Sequence, residues 1–180
     1  MSYVKFYLLA CLLIFAGCQQ ITDDLNPSND DERPEVTAGS IGSEVGQQAA
    51  GFAATDTLNN THTLADELLA ADAVLLYFTM WCPTCDSHMG HIRTNLVADF
   101  PNVTFLIVDY VTGSVAASRA SQLANGYASF TVLADNDLTL FNTFKGSMGA
   151  TVIIDSSGTI LLNEDYKNGA KVRTVLEALL

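Results

Sequence analysis

Positive charge is scarce in this chain. Eight Lys and Arg stand against 20 Asp and Glu over 180 residues, a formal charge of −12. Nucleic acid and anionic lipid surfaces repel such a body, which argues against either as a partner. Cysteine is sparse as well, with four residues. Cys11 lies inside the first apolar segment and Cys18 ends it, so Cys82 and Cys85 remain as near neighbours. Nothing is left over for a structural disulfide framework. The apolar run at residues 6–15 falls short of the roughly 20 residues that a membrane-spanning helix needs. No internal repeat is visible, and a hydrophobic content of 49 % at this length supports one compact domain with appendages.

Residues 1–17 carry one positive charge, Lys5, then the apolar run, then Ala16-Gly17 ahead of Cys18. That order is the order of a secretory signal. The ending Phe15-Ala16-Gly17-Cys18 resembles a bacterial lipobox, with Phe15 where Leu is usual. The resemblance implies that Cys18 becomes the lipidated first residue of the mature protein. A plain signal peptide cut elsewhere, or an uncleaved anchor, fits the same residues. Gln19 rather than Asp follows the cysteine, which by analogy in a Gram-negative cell implies the outer membrane, its periplasmic face. Residues 18–44 are polar and acidic, with Asp23, Asp24, Asp30, Asp31, Glu32, Glu35, Pro27 and Pro34. Too few apolar residues are present to offset the ordering entropy, so a tether is expected there. About 25 flexible residues would reach roughly 25–30 Å.

Folded protein is expected over 45–180. Residues 45–57 read as short extended pieces and 64–69 as a short helix with Thr63 as N-cap and Asp66 at its third position. Residues 73–79 are apolar enough for a strand buried on both faces. The pattern predicts a helix from Cys82 to about Phe100, with Met89, Ile92, Leu96 and Val97 facing the core. A second buried strand over 103–110 would pair in parallel with the first. A small-residue helix follows at 115–124, stopped by Asn125-Gly126, then an extended piece at 130–134 and a helical one at 138–144. Residues 151–155 and 159–163, joined around Ser156-Ser157-Gly158, read as a hairpin, and 172–180 as a closing amphipathic helix. The sum is an α/β class fold, a three-layer sandwich with a central mixed sheet flanked by helices.

The chemistry is concentrated in Trp81-Cys82-Pro83-Thr84-Cys85, where the strand hands over to the helix. One helical turn brings residues three apart to the same side, so the two sulfurs can close a small ring. The free N–H groups and positive dipole end of the helix favour a thiolate on Cys82, which makes it the better nucleophile. Pro83 suits the first turn, where its missing N–H costs nothing. A structural disulfide or a pair of inert core thiols is the bland alternative. Trp-Cys-Pro-x-Cys after an apolar strand resembles the thioredoxin superfamily. The flanking sequence over 45–180 is similar to its bacterial redoxin branch, the AhpC/TSA-like and TlpA/ResA-like thiol-disulfide oxidoreductases. The resemblance implies a thioredoxin-like fold, an exposed Cys82 that forms the mixed disulfide, and Cys85 as the resolving thiol. It implies no cofactor and no resident metal. The partners it implies are protein thiols and disulfides of the cell envelope and a partner that recycles the pair. Trp81 would offer a flat apolar surface beside the cysteines.

His88 occupies the position where the redoxin branch commonly has Glu, and the resemblance makes it a candidate proton relay to the resolving thiol. A solvated histidine on an exposed helix face fits equally; His91 reads as surface and His62 as a loop residue. The branch also has a cis-proline facing the cysteines, and here the matching position is Gly149, with Met148 at that edge. A cis peptide without proline costs about 2.5–4 kcal/mol, so a trans or mobile loop is expected. Met148 and Gly149, like Trp81 and Pro83, are placed by the resemblance facing the substrate. Gly90 stands where the redoxin helix has a kinking proline, and Leu76-Tyr77 where thioredoxin itself has a buried Asp. A metal-binding module, taking copper or zinc on the same fold, is the alternative reading. Its hook is Cys82-x2-Cys85-x2-His88-x2-His91. On a helix these ends lie about 180° apart and about 13 Å along the axis, so all four cannot hold one ion. Cys82 and Cys85 with His88 and outside ligands would remain.

Overall fold

The computed structural model describes residues 36–179. The signal segment, the lipidation site Cys18 and the tether up to residue 35 lie outside the described residues. In chain order the elements are β1 (Ile41–Gly42), β2 (Gln48–Ala49), β3 (Ala53–Thr55), β4 (Thr61–Thr63), α1 (Leu64–Ala70), β5 (Ala73–Thr79), α2 (Pro83–Asn95), β6 (Val103–Asp109), α3 (Val115–Ala124), β7 (Thr131–Ala134), α4 (Thr139–Thr143), β8 (Ala150–Asp155), β9 (Ile160–Asp165) and α5 (Ala170–Glu177). A five-stranded sheet in the order β7-β6-β5-β8-β9 forms the middle layer. β5 runs parallel to β6 and antiparallel to β8, which makes the sheet mixed.

All seven residues of β5 are buried, and their period-two alternation divides the core. Ala73, Leu75 and Tyr77 face Met89, Ile92 and Leu96 of the α2 segment and Val172 and Leu176 of α5. Val74, Leu76 and Phe78 face Leu64 of α1, Leu140 and Phe144 around α4, and Phe52. Helices therefore cover both sides of the sheet, the three-layer α/β sandwich expected from the sequence. Each large side chain so buried contributes about 1.5–3 kcal/mol.

α2 carries Cys85, Met89 and Ile92 on one buried stripe. It ends at Asn95, short of the Phe100 that the hydrophobic pattern predicts. Thr94 donates its hydroxyl to the Gly90 carbonyl at 2.9 Å and Asn95 its amide to the His91 carbonyl at 3.2 Å. Such side-chain bonds compete with helix continuation. Past that point the register changes, and Val97, expected in the core, is 37 % exposed while Leu96 is buried.

The fold also begins ahead of the expected boundary at Val45, because the compact unit starts at Val36. β1 pairs in parallel with β2, and the lead-in is stitched to β9 by Gly46 N–H to Ile160 O at 2.9 Å, Ile160 N–H to Gln47 O at 2.9 Å and Asn163 Nδ2 to Ser43 O at 2.8 Å. At the other edge, the turn after β3 bonds β7 through Thr57 N–H to Val132 O at 2.9 Å.

That turn is locked by charge. His62 lies in β4 rather than in a loop, with Nδ1 2.6 Å from Glu67 and Nε2 3.2 Å from Asp56. Asp56 also accepts the Leu58 and Asn60 N–H groups at 2.8 Å. Burial would lower the His62 pKa, but the Glu67 and Asp56 carboxylates outweigh it and the net shift is upward. A group with a raised folded pKa stabilises fully below its unfolded pKa, about 6.5, and loses that contribution as pH rises through the folded value. The urea midpoint should therefore fall as pH rises above about 6.5, and His62→Asn should flatten that slope; an unchanged slope in the variant would show that His62 does not carry it.

Candidate active site

Cys82 is the N-cap of α2, with φ −86° and ψ 165°, and Pro83 opens the first turn. The Cys85 N–H donates to the Cys82 sulfur at 3.2 Å, and the Asp86 N–H to the Cys82 carbonyl at 2.9 Å. The sulfurs stand 2.7 Å apart as free thiols. Cys82 is half-buried and Cys85 fully buried, the asymmetry expected of an attacking and a resolving thiol. Burial alone would push the Cys85 thiol up. Hydrogen bonding from Cys82, from the Met80 and Cys82 backbone and from Thr79 outweighs it, so the shift is downward.

Trp81 holds the turn into the helix at φ +59°, a left-handed conformation that an aromatic residue adopts only under constraint. Its N–H donates to Thr79 Oγ1 at 3.1 Å, and its ring packs on the α2-side core with Nε1 buried and unpartnered. Pro83 is exposed beside Cys82. Met80 and Met148 are exposed on the two flanking segments, 44 % and 39 %. Tyr110 leans between Phe78 and Phe141, its ionisation pushed up by burial and then by Cys85 and Cys82.

Gly149 departs from the substrate-facing role that the resemblance implies. It is buried, its N–H donates to Phe78 O at 3.0 Å, and its carbonyl accepts the Tyr166 N–H at 2.9 Å. Its backbone is thus engaged inside the domain, and Met148 is the exposed residue at that edge. Gly149 has φ +84°, and no peptide bond among the described residues is cis.

His88 is not a solvated histidine. Its Nδ1 lies 3.0 Å from the buried Tyr77 hydroxyl, with Tyr166 packed against the ring at 4.9 Å. Burial lowers its pKa, His91 lowers it further and Asp165 opposes them. His91, expected at the surface, is half-buried with Nδ1 2.6 Å from the Tyr166 hydroxyl. α2 is helical throughout, so the four-residue Cys/His spacing does not converge. Among the described residues no group of three or more His, Cys, Asp or Glu is placed to hold a metal ion.

Tyr77 and Tyr166 are the site residues that the motif did not point to. Tyr77 was within reach, because it shares the α2 face of β5 with Leu75 and carries a phenol hydroxyl there. Tyr166 carried no signal, lying 75 positions from the His91 it meets.

The sequence model of the AhpC/TSA family matches residues 45–162. The chain belongs to the AhpC/TSA family. By family it is a thioredoxin-like oxidoreductase of the redoxin kind. A search of the curated proteins finds no match. Solved structures of similar fold include DsbF of Mycobacterium tuberculosis, at 24 % identity and TM-score 0.57 over 72 % of this chain and 95 % of that one. Peroxidoxin BcpB of Mycobacterium tuberculosis matches at 21 % identity and TM-score 0.60 over 75 % and 95 %. A thioredoxin-like protein from Aeropyrum pernix matches at 18 % identity and TM-score 0.59 over 71 % and 89 %. These likenesses show the thioredoxin-like fold.

Gly149 sets a test of this redoxin's loop. Proline fixes φ near −65° and has no N–H, so it fits neither the φ of +84° nor the bond to Phe78. Restoring the family's proline as Gly149→Pro should therefore destabilise the domain by more than about 1 kcal/mol, read from its denaturant midpoint. An equal or higher midpoint would show that the loop adapts.

Proposed function

We propose that this chain is a lipid-anchored, extracytoplasmic thiol-disulfide oxidoreductase that reduces or exchanges disulfides of envelope proteins. The observation that carries the reading is the pair of unbonded sulfurs 2.7 Å apart at a helix start, one half-exposed and one buried. A Cys82 thiolate attacks a partner disulfide, and the mixed disulfide is then resolved by Cys85 across that short gap. The Cys85 N–H already points at the Cys82 sulfur and stabilises charge there. The DsbF structure is described in mixed oxidised and reduced forms, which supports a redox role for the pair on this fold. The exposed Met80 and Met148 give an extended partner an apolar footing beside Cys82. Membrane attachment through Cys18 is supported by the lipobox-like ending alone.

Insulin reduction in the presence of a dithiol should be abolished by Cys82→Ser. Cys85→Ser should instead accumulate a mixed disulfide with the substrate on a non-reducing gel. Turnover by the Cys82→Ser variant would overturn the assignment of the nucleophile. Anchoring is tested separately by expressing the full chain with labelled palmitate. Label should enter the wild type and be absent from Cys18→Ser, whose domain should leave the membrane fraction; label retained in the variant would refute Cys18 as the lipid site.

A further inference from the structure

Asp86 stands one helical turn beyond Cys82 on the same side, because its N–H donates to the Cys82 carbonyl at 2.9 Å. Side chains four apart on a helix come within about 5–6 Å at Cβ, and each leans toward the helix start. An exposed carboxylate at that position is free to swing over the sulfur that has to carry negative charge. Here the carboxylate is taken by another partner. Tyr127, reaching in from 41 positions away, places its hydroxyl 2.6 Å from Asp86 Oδ1 and 2.9 Å from the Asp86 carbonyl, and shares its proton between them.

We propose that Tyr127 is a positioning residue for the cysteine pair: by holding the Asp86 carboxylate to itself, it keeps a negative charge off Cys82 and so favours the dithiol over the disulfide. The inference rests on the exchange chemistry proposed above. The equilibrium that Tyr127 biases can be written with glutathione. The Cys82 thiolate attacks glutathione disulfide and releases one glutathione thiolate; the Cys85 sulfur then attacks Cys82 and releases a second. One S–S bond breaks and one forms, two electrons pass from the pair to glutathione, and the two cysteine protons end on the two glutathione thiols. A carboxylate beside Cys82 repels the thiolate and has no charge to repel once that sulfur is in the disulfide. Releasing Asp86 therefore pushes the equilibrium toward the disulfide.

The surroundings make Tyr127 a fixed post. It is 2 % exposed, with its ring in the α2-side core and 6.0 Å from the Phe130 ring. Its backbone is held in both directions: the N–H donates to Gln122 O at 3.0 Å, and the carbonyl accepts the Phe130 N–H and Gln122 Nε2, each at 3.1 Å. Burial, and then Asp86, pushes its ionisation up to about 12 against the opposing Arg93, so the phenol keeps its proton and donates it. Arg93, two turns along α2 from Asp86, lies 5.0 Å over the Tyr127 ring and donates Nη1 to Gly126 O at 3.1 Å, which ties the Tyr127 loop to the helix. Between them is Gly90, where a Cβ would lie 3.9 Å from the Tyr127 hydroxyl. The phenol thus crosses the helix at its barest point.

The test is the equilibrium of the full chain with reduced and oxidised glutathione, reading the disulfide as the fraction of the Cys82–Cys85 peptide that resists alkylation. Tyr127→Phe should shift the constant about threefold toward the disulfide, the size of one like-charge contact at about 6 Å in water. Asp86→Asn removes the charge, and in that background Tyr127→Phe should move the constant by less than about 1.5-fold, since the two residues act as one unit. In about 1 M salt, where the Debye length falls to about 3 Å, the shift of the single variant should shrink in the same way. An unchanged constant in Tyr127→Phe, or a shift toward the dithiol, would overturn the proposal. An equal shift in the Asp86→Asn background, or one that salt leaves intact, would give Tyr127 a purely structural role; it would overturn the proposal and leave the exchange reading standing. A wild-type pair that reaches no reversible equilibrium with glutathione would sink the exchange reading itself, and this one with it.

Discussion

β5 is the constraint on which the rest of the structure depends. Buried on both faces, it must send alternate side chains into two separate cores, and its carboxyl end must emerge where α2 begins. That geometry fixes the sulfurs at the helix start and places Tyr77 beneath them on the α2 side. A phenol so deeply buried needs a partner for its hydroxyl. His88, three residues beyond Cys85 on the first turns of the helix, is the partner in reach. The chemistry of the pair and the packing of the core are thus parts of one register.

Local cost concentrates just before the nucleophile. Trp81 combines a positive φ with a buried, unpartnered indole N–H. The first is worth about 1–3 kcal/mol and the second a similar amount, and neither is relieved by its own contacts. Both persist because the ring is pinned against the α2-side core while Thr79 holds the backbone N–H.

Much of this was legible in the sequence because it rests on short-range pattern. The apolar run of β5, the proline one residue past the cap and the turn before β9 each act within a few positions, and the elements appeared where they were expected. The site pair was legible for the same reason. What escaped depended on side chains meeting across the fold. The helix stops at Asn95 because Thr94 and Asn95 bond backwards, which hydrophobic spacing does not register. His62 looked like a loop residue since neither carboxylate that grips it lies on a shared periodic face. His91 looked solvated because Tyr166 comes from the far end of the chain. The acidic, glycine-containing lead-in read as tether, but its order comes from backbone bonds, Gly39 N–H to Gly46 O and Gln48 N–H to Ser40 O, and the adjoining Gly46 and Gln47 are themselves bonded to Ile160 of β9.

Those backbone bonds have a further meaning for the sheet as a whole. β7 and β9 are its outer strands, and an outer strand ordinarily offers a row of free N–H and C=O groups to any extended chain that drifts past. Here the lead-in lies along β9 and the turn after β3 lies along β7. By capping β9 at its first residue and β7 at Val132 and Leu133, the domain takes those backbone groups out of reach of an extended chain at the two flanks of its sheet.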